Sequence, residues 1–483
     1  MFEKPPIYNA LVQHKKKNPV SFHVPGHKMG QGFNSLGSKY YKNILEIDMT
    51  EITGLDNLHQ AEEIILEAQQ EAANLYHAEQ TFFLVNGTTV GNLALILTVC
   101  QPGDRIIVQR NVHKSVINGI ILAHAEPIYI NPDIIDDLEV SACVKTSTVE
   151  AALKKYPDAK AVFLMNPNYY GLSKDLTEII ALTHRYQIPL LVDEAHGAHF
   201  GLHPAFPKSA IQLGADAVVQ STHKTLSAMT MGSLLHVHSN YLDISRLKVF
   251  LSMLQSSSPS YPIMASLDLT VNWLKREGEQ VWNHVLESID WFYEKAKHLK
   301  HIKVNYVLPE EYQHDPLKIV IQHEGLSGYR LQELLEKENI YLELADMYNC
   351  LAVASIGTMP EDLEKLLAAL KRIDKVEYST VEMRSTPRSL FEQDYDASDS
   401  NSSVSLGNVL YQNKKRLPIR EAIGYFSAEM VIPYPPGVPM IQLGERITKE
   451  MVNYLIYLKE QGAKFTGIND TSFQSILVTH IED

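Results

Sequence analysis

The sequence predicts an α/β chain built on a mostly parallel sheet with helices on both faces. Three observations lead there. Between Thr81 and about His238, strand-length apolar runs alternate with helix-length amphipathic stretches. The runs are rich in Val, Ile and Phe, which suit a strand buried on both faces. Residues able to do chemistry stand just past the ends of several runs, where a doubly wound sheet gathers ligand groups.

The elements follow in order. TFFLV (81–85) leads into TVGNLALILTVC, and RIIVQ (105–109) into HKSVINGIILAH. PIYI (127–130) precedes STVEAALKKY, and AVFLM (161–165) precedes DLTEIIALTHRY. PLLVDEA, ADAVVQS and GSLLHVH complete the series, with right-handed crossovers expected. A helical stretch near Ser266–Ala296 closes an N-terminal arm and large domain, residues 1–295. Residues 296–380 read as a small α+β domain, with HIKVNYVL, LKIVIQ and LAVASIG as strands and PEDLEKLLAALKRI as a helix. The Ser- and Asp-rich stretch at 381–405 reads as a linker. Residues 406–483 form a C-terminal α+β domain with a proline-rich turn, PYPPGVP, and the helix ERITKEMVNYLIYLKEQG.

Composition narrows the function classes. With 483 residues, 45% hydrophobic and 21% charged, the chain can bury a sizeable core, which excludes a largely disordered or collagen-like protein. Forty-three Lys and Arg against 57 Asp and Glu give a net charge of −14, arguing against a nucleic-acid surface and for cationic small molecules. Cys100, Cys143 and Cys350 are far apart, which excludes a disulfide scaffold and a zinc knuckle and suits a cytoplasmic protein. No run approaches the roughly 18 apolar residues of a membrane span, so no membrane partner is expected.

The strand ends supply a coherent set of groups. PLLVD ends in Asp193, followed by His196; ADAVVQS ends in Ser221, followed by His223 and Lys224; LVNG is followed by Thr88 and Thr89; RIIVQ runs on to His113. Pyridoxal phosphate needs such a set: a lysine for its Schiff base, an anion at its ring nitrogen, a phosphate cradle and a group to stack on its ring. Lys224 supplies the amine. Asp193 keeps the ring nitrogen protonated, since an opposite charge in contact shifts a pKa by about 1–3 units. Thr88 and Thr89 open a helix whose free N–H groups suit a phosphate, and Ser221 and His223 add donors. His113 stacks on the ring, and His196 lies near it. Lys114 is the rival amine, but it precedes the Asp193 strand and opens a helix. His196 and His199 could suggest a metal with Asp193, yet the glycine between them weakens a helical pairing, and no metal is expected. A nicotinamide site would want GxGxxG after the first strand, which GTTVG does not match.

These residues, with FHVPGHKMG, GLDNLH, FFLVNGTTVGN, RNVHKS, NPNYYG, VDEAHGAH, STHKT, SSSPSYPIMASLD and AEMVIPYPPGVP in order, make the chain resemble a known family. It is similar to the fold-type I, pyridoxal-phosphate-dependent ornithine/lysine/arginine decarboxylases of bacteria, in the shorter Bacillus-type form without an N-terminal wing domain. The resemblance implies decarboxylation of lysine, arginine or ornithine to cadaverine, agmatine or putrescine. It assigns Lys224 as the Schiff-base lysine, Asp193 to the ring nitrogen, His196 to the D-x-AHG motif, and His113 to ring stacking. Thr88, Thr89, Ser221 and His223 fall at phosphate-binding positions, with GTT where the family commonly has GTS. The resemblance further implies a homodimer with active sites at its interface, and Glu429 as the contact to the substrate's distal cation. Two other readings stay open on the residues alone. One is another fold-type I reaction, transamination or aldol cleavage; the other is a pyridoxal-phosphate-binding sensor without turnover.

Overall fold

A computed structural model describes residues 4–304, 306–378, 406–434 and 438–479. The expected linker at 381–405 lies outside the described residues, as do the central residues of the PYPPGVP turn. The chain divides into two compact units, the first holding residues 1–98 and 191–283, the second 99–190 and 284–483.

In the first unit, strand Gln80–Leu84 pairs antiparallel with Ser233–Val237, which pairs antiparallel with Ala217–Gln220, which runs parallel to the strand ending at Asp193. Ser233–Val237 is the one reversed strand here. Residues 221–232 join it to Ala217–Gln220, and the helix they contain, Thr222–Thr225, is a single turn; the chain turns back and pairs antiparallel. Two reversals leave Gln80–Leu84, Ala217–Gln220 and the Asp193 strand pointing the same way, with their carboxyl ends on one edge. Helix Gly87–Val99 lies close against this sheet. A Cβ on Gly91 would stand 2.7 Å from a Val219 methyl, so only glycine allows the approach.

The second unit contains three parallel strands in the order Val162–Met165, Arg105–Gln109, Glu126–Ile130. Helices Lys114–Ala123, Thr146–Lys155 and Thr177–Arg185 follow the expected alternation. An antiparallel sheet in the same unit orders Ile302–Lys303, Lys318–His323, Asn349–Val353 and Leu344–Ala345. Helix Pro360–Ile373 has Pro in its first turn and Glu361 and Asp362 against its positive end, and it buries Leu363, Leu366, Leu367 and Leu370. In the C-terminal domain, Ser475–Thr479 is paired on both sides, by Lys414–Pro418 and Phe426–Ser427. Helix Lys449–Glu460, capped by Thr448, covers a core that includes Val431, Ile441, Leu455 and Phe473. All three cysteines are buried, and none is in a disulfide. Among the described residues, no helix is long and apolar enough to cross a membrane.

Candidate active site

The strand Leu190–Asp193 is buried along its length and ends in a carboxylate. Asp193 is 4% exposed. Its Oδ1 accepts from the Ala195 N–H at 3.0 Å and its Oδ2 from Asn92 Nδ2 at 2.8 Å. Asn92 comes from the helix Gly87–Val99, one turn after Thr88, so both residues look along the same helix face.

The neighbouring parallel strand places Val219 opposite Asp193, and its continuation delivers Ser221 and Lys224 to the same edge. Ser221 stands at the start of the one-turn helix, with Oγ 3.1 Å from Thr88 Oγ1. Two hydroxyls from two loops therefore meet at the start of a thirteen-residue helix, where N–H groups lack intrahelical acceptors. Thr89, the next residue, is exposed.

Lys224 Nζ lies 2.8 Å from His196 Nε2. A protonated Lys224 donates, so Nε2 accepts and the imidazole proton sits on Nδ1. His223 directs both its backbone N–H and its ring Nδ1 at the Gly232 carbonyl, at 3.2 and 3.0 Å. That carbonyl can only accept, so Nδ1 carries the proton and Nε2 is left as the ring's acceptor. His199 is fully buried, bonded to Thr225 Oγ1 at 3.1 Å and set edge-on against Phe206, which makes it a core residue.

Beneath Asp193 lies a polar network with no obvious trace in the sequence. Glu194 follows Asp193, so its side chain leaves the strand on the other side. Its buried carboxyl accepts from Ser209 Oγ at 2.6 Å, Gln220 Nε2 at 3.1 Å and the Ala210 N–H at 3.1 Å. Burial, with the Asp193 charge nearby, pushes its pKa up to about 8. Gln220 continues through His236 to Thr81, at 3.0 and 2.7 Å, and burial lowers the His236 pKa to about 3, so this imidazole is neutral.

Thr88, Asp193, His196, Ser221, His223 and Lys224 thus gather at one edge of the first unit. His113 and Glu429 belong to the second. His113 caps helix Lys114–Ala123, and its Nδ1 accepts from the Ser115 N–H at 3.2 Å and hydroxyl at 2.8 Å, which leaves the proton on Nε2. Lys114 is exposed. Glu429 departs from expectation. Rather than presenting a free carboxylate, it is 6% exposed and accepts at Oε1 from Asn469 N and Nδ2 (2.7 and 2.6 Å) and at Oε2 from Leu477 N (2.7 Å). It ties three segments of the C-terminal domain together. Asn92 and Glu194 are the residues that sequence reasoning missed. Asn92 had a faint signal in its i, i+4 spacing from Thr88. Among the described residues, no group of three or more His, Cys, Asp or Glu side chains could hold a metal.

The residues at the first unit's edge fit pyridoxal phosphate: an amine, a buried carboxylate with a fixed orientation, and paired hydroxyls at a helix start. Comparisons with known proteins agree. The family described as Orn/Lys/Arg decarboxylase, major domain, matches residues 5–312, and the family's C-terminal domain matches residues 386–474. An uncharacterized Bacillus subtilis protein, YaaO, is 45% identical over 99% of both chains. A B. subtilis protein named arginine decarboxylase is 35% identical over 98% of this chain and 97% of its own. The crystal structure of the Francisella novicida lysine decarboxylase LdcF superposes with a TM-score of 0.83 at 21% identity, covering 99% of this chain and 81% of that one, which shows a shared fold.

Proposed function

The chain belongs to the Orn/Lys/Arg decarboxylase family of pyridoxal-phosphate-dependent carboxy-lyases, and from that premise we propose that it decarboxylates a basic L-amino acid, with arginine as the first candidate, to CO₂ and agmatine. The observation that carries the proposal is the meeting of Lys224, Asp193 and the Thr88–Ser221 hydroxyl pair at adjacent strand ends. Arginine is favoured because a relative bearing that activity in its name matches along nearly the whole chain.

When bound, pyridoxal phosphate supplies an electron sink for the pair left as the carboxylate departs. Lys224 would hold it covalently through Nζ, and Asp193 would face its ring nitrogen. Asn92 keeps the Asp193 carboxylate turned to one orientation through a 2.8 Å hydrogen bond, so no reorganisation is needed when charge develops. Thr88, Thr89 and Ser221 would hold the phosphate at the helix start. In this proposal His113 stacks on the ring and His223 contributes Nε2 beside the phosphate. Lys224 must lose a proton before its amine can act, and His196 Nε2, 2.8 Å away, is placed to take it. The expected contact between Glu429 and the substrate's distal cation is not part of this proposal, because three N–H donors already hold its two oxygens.

The proposal includes a homodimer in the cytoplasm. Val20, Phe22 and Val24 are 83%, 94% and 63% exposed, an apolar run that a second subunit would cover. Three buried cysteines outside any disulfide suit a reducing compartment. The deciding experiment gives the holoenzyme an equimolar mixture of arginine, lysine and ornithine and identifies amines by mass spectrometry. Agmatine as the main product supports the proposal. Cadaverine or putrescine alone would reassign the substrate, and a transaminated keto acid without amine would remove decarboxylation.

A further inference from the structure

The RNVHKS stretch carries His113, and it also carries Arg110, which the reaction above does not use. Arg110 directly follows strand Arg105–Gln109 and is buried, as is its partner Glu445. Its Nη2 donates to both carboxylate oxygens of Glu445, at 2.7 and 2.8 Å. Glu445 lies 335 positions further on, in the stretch that the family's C-terminal domain matches. Both residues belong to the second unit.

Each side of the pair is held by its own surroundings. The Gln442 N–H donates to Glu445 Oε2 at 2.7 Å, and the Glu445 carbonyl accepts from the Ser427 N–H at 2.8 Å. Gln442 Nε2 also reaches the Arg110 carbonyl, at 3.5 Å. On the strand side, the Arg110 N–H donates to the Ile130 carbonyl at 2.9 Å, and the guanidinium carbon lies 5.5 Å from the centre of the Tyr129 ring. Gln109 and Asn111, which flank Arg110, are joined from Nε2 to Oδ1 at 2.7 Å. His113 follows two residues after Asn111. Its bonds to Ser115 set the rotation of its ring but not the place of the loop that carries it. A buried ion pair loses the hydration of both charges, and well-packed apolar side chains often match it in stability. What it adds is direction, because charge-assisted hydrogen bonds fix the geometry of the groups they join.

We propose that Arg110 is a positioning residue for the cofactor site. Its ion pair with Glu445 fixes the loop that carries His113, so the C-terminal stretch acts on the cofactor ring through His113. The inference rests on the stacking role proposed for His113 above.

The test titrates apoenzyme with pyridoxal phosphate. Visible absorbance gives the affinity, and circular dichroism of the bound cofactor reports how its ring is oriented. His113→Ala should weaken binding about 2- to 10-fold, the worth of one aromatic pair, and alter the dichroic band. Glu445→Gln should change both readouts in the same direction. Combined with His113→Ala, it should change neither further, because the ring it positions is gone. Glu445→Gln leaves the guanidinium without its carboxylate, so folding is followed by the melting temperature of each apoenzyme. Arg110→Met together with Glu445→Leu removes both charges, should keep the chain folded, and should show the same weaker binding and altered band. Unmoved affinity and band in this folded double variant would overturn the inference. So would an equal loss from Glu445→Gln with and without His113. His113→Ala with unchanged affinity and band would instead remove the stacking role itself, which separates a failure of that reading from a failure of this one.

Discussion

The carboxyl edge of the first unit's strands and the C-terminal domain of the second both bury a carboxylate, and they employ it in opposite ways. Asp193 accepts one side-chain amide and the N–H two residues on, both from within its own edge. Glu429 accepts three N–H groups from residues 40 and 48 positions away, closing the C-terminal sheet over its turn. Arg110 and Glu445 form a third case, a pair at 2.7 Å with side chains only 6% and 4% exposed, which fixes a loop to the C-terminal domain. Burial therefore does not mark a reactive carboxylate. Under the roles proposed above, what distinguishes Asp193 is the kind of partner: an orienting side-chain amide, rather than backbone donors that join distant segments.

That contrast can be broken most directly at Lys224. Lys224→Ala should remove the visible absorbance of bound pyridoxal phosphate and lower kcat by at least roughly 10³-fold, with the melting temperature of the apoenzyme unchanged. Retention of the band would transfer the role to another lysine, Lys114 first. Asp193→Asn is the next largest. It keeps the shape and one acceptor, toward Asn92 or the Ala195 N–H, but loses the charge, so cofactor should still bind while kcat falls about 10- to 1000-fold, the worth of 1–3 pKa units at the ring nitrogen. A normal kcat would place Asp193 with Glu429, among the anchors.

Glu429→Gln tests the other side. An amide cannot accept at both positions, so one side-chain N–H must face a backbone N–H, of Leu477 or of Asn469. The expected outcome is a loss of about 1–3 kcal/mol in stability, read by denaturant unfolding, with KM for the basic amino acid unchanged. A raised KM with normal stability would restore the substrate contact that the sequence suggested.

The sequence made the strand ends legible because a parallel α/β sheet puts loops from distant parts of the chain on one edge, so order alone groups Thr88, Asp193, Ser221 and Lys224. The mostly parallel fold class holds for the same reason. Ser233–Val237 runs antiparallel, with only the one-turn helix Thr222–Thr225 in its connection, a direction that strand composition does not encode. Asn92 and Glu194 stayed hidden because their partners are far off in the chain, 101 positions for Asn92 and 15 to 26 for Glu194. The anchoring bonds of Glu429 were not legible because its donors, Asn469 and Leu477, come from segments with no local pattern linking them to it.

The smallest expected effect separates the two sides of the Asp193 strand. Glu194 holds its proton to about pH 8 in the folded chain, against an ordinary value of 4.5. Between those values the folded state binds a proton that the unfolded state releases, so stability falls as pH rises, by about 1.4 kcal/mol per unit for one such group. Asp268, raised by burial to about 7, acts in the same sense at lower pH. His236, lowered to about 3, acts oppositely: its contribution is lost as pH falls below 6.5. Between pH 7 and 8 Glu194 carries the larger share of this slope, while Asp268 completes its titration. Glu194→Gln, whose oxygen can still accept from the Ala210 N–H while its amide donates to Ser209 Oγ, should therefore make the decline in stability over that interval shallower. It should leave kcat within a few-fold, because Asp193 and Asn92 are untouched. A large fall in kcat at unchanged stability would move Glu194 from the supporting layer into the group that tunes Asp193.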